Sequence, residues 1–305
     1  MSGSPSVRSI ITKCLGGMWI LDGLLQLQPQ MFGSAFVSSV LVPNLSNQPH
    51  FLHALVVLGI YLWSLHPALA NTMAALIQII IGVLLFFPSS SKPLRIGLSI
   101  SILWGFLVWV CGEGMGSLFT GTASLYSGAP GAVLLYVFLA VLLLSEKAKL
   151  SWFPKIVGWL LVLGSLLQLQ SGFWTAGGIR GNLTASTMES VHALNSIPLY
   201  ISNMLSMNPV AGNLFLVFVP LVIGLLLLIK PNRITATIAV IFFFLMWWWG
   251  QDFGMLSTLF AGTSTDPNAA PLLALFVIPL FFDLKDNHQL TSIAAGGLLV
   301  SQNSH

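Results

Sequence analysis

The chain is predicted to be an all-α integral membrane protein: eight spanning helices built as two parallel four-helix repeats, each with an outer interfacial or re-entrant helix. Three observations predict it. Of 305 residues, 56% are hydrophobic and 6% charged, the first half of the sequence recurs in the second, and the basic residues collect on one side of the resulting topology. A chain of this length with so little charge has more apolar surface than a water-soluble fold can hide, so lipid must cover the remainder. The net charge of +3 comes from short basic clusters between apolar runs, which are topology signals; no nucleic-acid partner is expected.

The repeat is carried by landmarks in one order. Leu24 to Gln28 reads LLQLQ, as does Leu166 to Gln170. His53-Ala54-Leu55 with Tyr61 returns as His192-Ala193-Leu194 with Tyr200, and Pro67 and Asn71 return as Pro209 and Asn213. Ile81-Gly82 matches Ile223-Gly224, Lys92 to Arg95 matches Lys230 to Arg233, and LFTGT at Leu118 to Thr122 becomes LFAGT at Leu259 to Thr263. Such self-similarity constrains the architecture, since a structure assigned to one copy must also suit the other.

In chain order, apolar runs at 14–31, 51–65, 68–88, 96–111 and 131–145 correspond to 155–171, 192–206, 212–229, 234–249 and 269–283. Arg8 and Lys13 precede the first run without a small-x-small cleavage pattern, so a retained helix is expected rather than a signal peptide. Residues 192–206 are too short and too polar to span, with Asn195, Ser196, Pro198, Ser202, Asn203 and Ser206, and are expected to lie in the interface or re-enter. Their counterpart 51–65 is read the same way, although its composition also permits a span. Eight spans with a cytoplasmic N-terminus put Arg8, Lys13, Lys92, Arg95, Lys147, Lys149, Lys155, Lys230, Arg233 and Lys285 inside and only Arg180 outside. Ten spans would move Lys92, Arg95, Lys230 and Arg233 outside. An even number of spans per repeat makes the repeats parallel, leaves both termini cytoplasmic and divides the chain into 1–150 and 151–305.

This topology gathers the candidate chemistry on the outer face. Two loops, Gly112 to Pro130 and Gly250 to Pro271, begin with Gly and an acid and keep Phe-x-Gly-Thr, while Thr265 to Asn268 has turn chemistry. Glu113 and Asp252 are read as paired carboxylates at a cavity mouth, acting as proton acceptors or cation ligands, or else as loop caps. His53 and His192 are candidates for a proton relay or a structural role. Their spacing matches no metal signature, and no metal is expected. Asp22 lies about 14 Å along a helix counted from Lys13, which places it near mid-membrane, where an ionisable group marks a functional site or a protonated acid bonded within the bundle. Gln26, Gln28, Gln168 and Gln170 follow, and with Asp22 they suggest a polar pocket opening outward between the repeats. The second-copy counterpart of Asp22 is Gly164. Cys14 and Cys111 fall on opposite sides of a layer roughly 30 Å thick and are not expected to pair. The ten tryptophans fall mostly at helix ends, as an aromatic belt does.

The four-helix unit, with its Leu-rich first helix carrying a polar patch at Leu21 to Gln28 and an outward segment before the second helix, resembles the DoxX/DoxD-like superfamily in duplicate. It also looks like bacterial polytopic membrane proteins with Gly-Glu/Asp-x-Gly, Thr-Gly-Thr and a Pro-containing loop. The first resemblance implies redox or thiol chemistry with a quinone as cofactor, though the chain lacks paired redox cysteines, and no catalytic residue carries over. Three functions are expected to compete. One is a redox-linked or accessory subunit that binds a quinone-like or lipid-like molecule in an outward pocket, with Asp22, Glu113, Asp252, His53 and His192 handling protons. Another is a proton-coupled transporter of parallel repeats. The third is a structural or assembly subunit that meets other membrane subunits in the lipid bilayer of the cell membrane.

Overall fold

A computed structural model describes residues 6–184, 192–258 and 262–282, with backbone alone at 192–195, 255, 257 and 258. Among the described residues all regular structure is helical. The α-helices are α1 (Val7–Leu25), α2 (Ser34–Phe36), α3 (His50–Leu65), α4 (Pro67–Leu85), α5 (Lys92–Cys111) and α6 (Ala132–Leu144), then α7 (Trp152–Leu167), α8 (Ala176–Thr184), α9 (His192–Met207), α10 (Pro209–Ile229), α11 (Arg233–Trp249) and α12 (Ala269–Val277). Their starts carry the expected chemistry. Ser6, Ser91, Asn208 and Asn232 accept backbone N–H bonds as N-caps, and proline opens α4, α5 and α10, where no donor is missed.

Among the described residues three helices, α4, α5 and α10, are long and apolar enough to cross a membrane. α1 has the same 19 residues as α4 but includes Arg8, Lys13 and Asp22. The first helix differs from expectation at both ends. It begins at Val7, where the Arg8 guanidinium donates to the carbonyls of Ser145 (2.9 Å) and Ala148 (3.0 Å) just beyond α6. It ends at Leu25, because Pro29 forces Gln28 into an extended conformation. Asp22 is therefore in the last turn of α1.

Glycine sets the closest helix contacts. α1 meets α4 where a Cβ on Gly82 would lie 2.6 Å from the Gly16 carbonyl oxygen, and α7 meets α10 where one on Gly224 would lie 2.7 Å from that of Gly158. Such approach suits helices in lipid, where backbone proximity and dispersion replace the hydrophobic drive. α6 and α12 lie at the centre with Leu135, Leu139, Leu272, Leu273 and Phe276 inaccessible, while the periphery exposes Leu103, Ile229 and Ile234. Contacts of α12 with α1 and α6 join the two halves.

The segments that follow α5 and α11 each cross to the opposite half. In the first, Leu125 packs on Gly164 of α7 and the Tyr126 hydroxyl donates to the Leu216 carbonyl of α10 (3.0 Å). In the second, the Ser264 carbonyl accepts from Gln28 beyond α1 (2.8 Å) and Asp266 reaches the end of α1. Each half is completed by a loop from the other.

Candidate functional site

The end of α1 in the first half opens on a cavity of about 380 Å³. Its walls come from α1 (Trp19, Asp22), α3 (Leu58, Leu62, Trp63), α4 (Ala74, Gln78) and α5 (Trp104, Leu107, Cys111), closed by Gln26, Glu113, Thr265 and Asp266. Most of this wall is apolar, and its polar groups are concentrated where α1 ends. Leu58, Leu62 and Leu107 are also exposed on the outer surface, so the rim between α3 and α5 is hydrocarbon.

Asp22 is buried, whereas Glu113 and Asp266 are half-buried. The three carboxyls are near enough to repel one another, and the Tyr136 hydroxyl of α6 is directed at Asp22. The Glu113 carboxyl is pushed well above the usual carboxylate range, first by burial and then by Asp266; the Val133 N–H, which it accepts at 3.3 Å, opposes the shift. Burial also raises Asp266, against the pull of the Thr265 hydroxyl (2.8 Å) and the Asn268 N–H (2.7 Å). Inside the cavity, the Asp22 Oδ1, Glu113 Oε2 and amide oxygens of Gln26 and Gln78 have no hydrogen-bond partner. The indole N–H groups of Trp63 and Trp104 have none either. A second cavity of about 580 Å³, lined by Asn44, Ser117, Thr122, Ser127 and loop glycines, shares Glu113 and Asp266 as its wall with the first.

At the matching position of the second half this chemistry is absent. Gly164 stands where α1 has Asp22, and Leu125 fills the space that Asp266 enters in the first half. Gln251 replaces Glu113. In both halves two successive N–H groups close onto one helix carbonyl, Gly112 and Glu113 on Val108, Gly250 and Gln251 on Met246. Glu113 and Gln251 then each accept from the second residue of the next helix, Val133 at 3.3 Å and Ala270 at 3.0 Å. The glutamines differ likewise. Gln168 is saturated by Ser124 (2.8 Å), Asn213 (2.9 Å) and Asn182 (3.3 Å), whereas the Gln26 amide oxygen faces the cavity unpaired.

Several expectations need correction. The carboxylates are not Glu113 with Asp252: Asp252 is buried at a positive φ of 46° and lines neither cavity, because the extra residue in Gly250-Gln251-Asp252 shifts the register. The pocket is not shared symmetrically. Gln28 and Gln170 lie beyond the helix ends, where they bind loop carbonyls at Ser264 and Ala123. His53 is exposed on α3 and lines neither cavity, since the face of α3 that does so carries Leu58, Leu62 and Trp63. His192 is in α9, but its side chain lies outside the described residues, as do Glu189 and Lys285. Cys14 and Cys111 are free, as expected. Sequence reasoning placed Asp266 on the outer face in the Thr265 to Asn268 turn without making it a site residue, and it missed Gln78. The available signal was that each is a polar residue aligned with an apolar one in the other half, Leu125 or Pro220.

Among the described residues no three His, Cys, Asp or Glu side chains are placed to hold a metal ion. The arrangement suits an organic ligand with an apolar body and a polar end, with acids positioned to exchange protons with it. No family model, curated protein or solved structure matches this chain, so its function has to be read from the chemistry of the first-half cavity.

Proposed function

We propose that the chain is a polytopic membrane protein of eight spanning helices in two parallel four-helix repeats, with both termini cytoplasmic. Its first half binds a quinone-like or lipid-like molecule and exchanges protons with it, as a redox-linked or accessory subunit. The spans are α1, α4, α5, α6, α7, α10, α11 and α12, with α3 and α9 at the outer interface; paired glycine contacts of α1 with α4 and of α7 with α10 support the duplication. The DoxX/DoxD-like resemblance belongs to the same proposal.

The observation that carries the ligand reading is the cavity with a hydrocarbon rim and an acid-rich end, against the matching position of the other half, where Leu125 packs on Gly164. An apolar molecule enters such a rim from the bilayer. Carboxyls raised above their ordinary range, as Glu113 and Asp266 are, donate hydrogen bonds to a carbonyl head when protonated and accept protons released from it when ionised. An absorption spectrum and solvent extract of the purified protein test this: a stoichiometric quinone or lipid is expected, lost in Asp22→Asn, and its absence from both proteins would overturn the reading. For topology, cysteines at Ser117 and Ser257 should react with an impermeant reagent from outside, and one at Ser91 should not. The reverse labelling would overturn the eight-span arrangement.

A second reading, a proton-coupled transporter, is favoured by the wall that Glu113 and Asp266 form between two chambers. It predicts vesicle uptake that depends on a proton gradient and disappears in Asp22→Asn. Gradient-independent uptake, or none, would remove it.

A further inference from the structure

We infer that the molecule held in the first-half cavity carries a positive charge, an alkylammonium head on an apolar body, and that Asp22, Glu113 and Asp266 are its counter-charges. The inference rests on the proposal that this cavity is the ligand site, and it narrows the lipid-like class to amines.

The charge balance of the walls is the first ground. Three carboxyls converge from separate parts of the chain, the end of α1, the turn after α5 and the loop before α12, yet among the described residues no Lys, Arg or His lines either cavity. Arg8 is engaged near the end of α6. Carboxylates held away from water with no cation beside them are costly, and burial shifts Glu113 and Asp266 toward keeping their protons. A cation entering the cavity supplies the missing charge.

The unpaired atoms are the second ground. Gln26 and Gln78, only 4% and 7% exposed, turn amide oxygens without partners into the cavity beside Asp22 Oδ1 and Glu113 Oε2. These four acceptors come from three segments, the end of α1, α4 and the turn after α5, and an ammonium head offers N–H donors in several directions. Trp19, Trp63, Trp104 and Phe36 surround the same space, and aromatic faces attract organic cations. The Trp63 and Trp104 N–H groups remain for an oxygen on the ligand body.

The second half makes the contrast specific. The residues matching Asp22, Glu113 and Asp266 are Gly164, Gln251 and Leu125, so all three acids are lost together. Acids needed only to cap loops have no reason to vary as a set, since Gln251 caps α12 as Glu113 caps α6.

Cys111 lines the cavity and provides a local readout. In a Cys14→Ser protein held in maltoside detergent, Cys111 is alkylated with a maleimide in the presence of octylamine, octanol or a short-chain neutral benzoquinone. Octylamine should protect at a concentration at least about tenfold below octanol, equivalent to about 1.4 kcal/mol. Its protection should strengthen as pH rises and Glu113 and Asp266 lose their protons, and octanol's should stay flat. Asp266→Asn, which keeps the side-chain oxygen that accepts from Asn268, should reduce the preference several-fold; Asp22→Asn should abolish it. Equal or better protection by octanol or the benzoquinone overturns the cationic ligand and leaves the cavity standing as a site. Unprotected labelling with every probe overturns both proposals. If Asp22→Asn fails to fold, the Asp266→Asn result and the pH profile decide.

Discussion

The ends of α1 and α7 are made from the same letters, LLQLQ, and reach opposite outcomes. After α7, Gln168 is held by three polar side chains, Leu125 covers Gly164, and the space is filled. After α1, the residue in Gly164's place is Asp22, the loop delivers Asp266 instead of Leu125, and about 380 Å³ stays open. In both halves an asparagine holds the chain at this point, Asn71 donating to the Gln26 carbonyl (2.6 Å) and Asn213 to the Gln168 carbonyl (3.1 Å). The contrast separates scaffold from site: backbone ties recur in both halves, while side chains that face empty space occur in one.

The largest effect should come from placing the first-half acid in the second half. In Gly164→Asp even the new Cβ would sit 3.2 to 3.4 Å from Leu125 atoms, and the carboxyl would have no cavity to enter. A loss of about 3–5 kcal/mol is expected in detergent unfolding. Near-native stability would show that the second half is not filled. Next is Gln168→Ala, which strands Ser124, Asn213 and Asn182 and should cost about 2–4 kcal/mol, against under about 1 kcal/mol for Gln26→Ala, whose amide oxygen has no partner to lose. Equal losses would erase the distinction between the two ends. Smaller changes should leave the halves alike. Gly82→Ala and Gly224→Ala each force a Cβ onto a facing helix carbonyl and should cost about 1–3 kcal/mol apiece in the same assay. A cost in one half alone would show that only one helix pair depends on close approach.

Glu113→Gln should produce the smallest change and one of opposite sign. The Glu113 carboxyl is raised above its ordinary 4.5, so between the unfolded and folded values the native protein holds a proton that the unfolded chain has released. Stability from this group is complete below the unfolded value and falls as pH rises through the folded one. Glutamine should flatten that decline and raise the melting temperature at neutral pH, since Gln251 already makes the equivalent bond to Ala270. A lower melting temperature at neutral pH would show that the carboxylate is favourably compensated in the empty protein.

Much of the helical layout was legible in sequence, because apolar runs, capping residues and prolines act locally. Ser91, Asn208 and Asn232 mark helix starts, and Pro29 explains the stop of α1. Extending α1 to residue 31 overlooked that stop, and starting it near 14 overlooked Ser6 as a cap; with both bounds in place, Asp22 belongs to the last turn. The site was less legible. Asp22, Gln26 and Glu113 were found as rare polar groups in an apolar chain, but pairing Glu113 with Asp252 followed the letters Gly-acid and missed Gln251, whose role depends on which N–H groups close onto Met246. His53 drew attention by chemistry alone, and the orientation of α3 exposes it.

By itself the sequence determined that this chain needs an apolar surrounding, that it is helical among its described residues, and where most helices begin, since composition and capping require no knowledge of distant contacts. Only the tertiary structure decided that the loops after α5 and α11 cross to opposite halves. That crossing depends on long-range packing, Leu125 on Gly164 and Ser264 on Gln28, which no local pattern encodes. It brings Asp266 to the end of α1 from a position more than two hundred residues away, and so places three acids around one cavity and none in its counterpart.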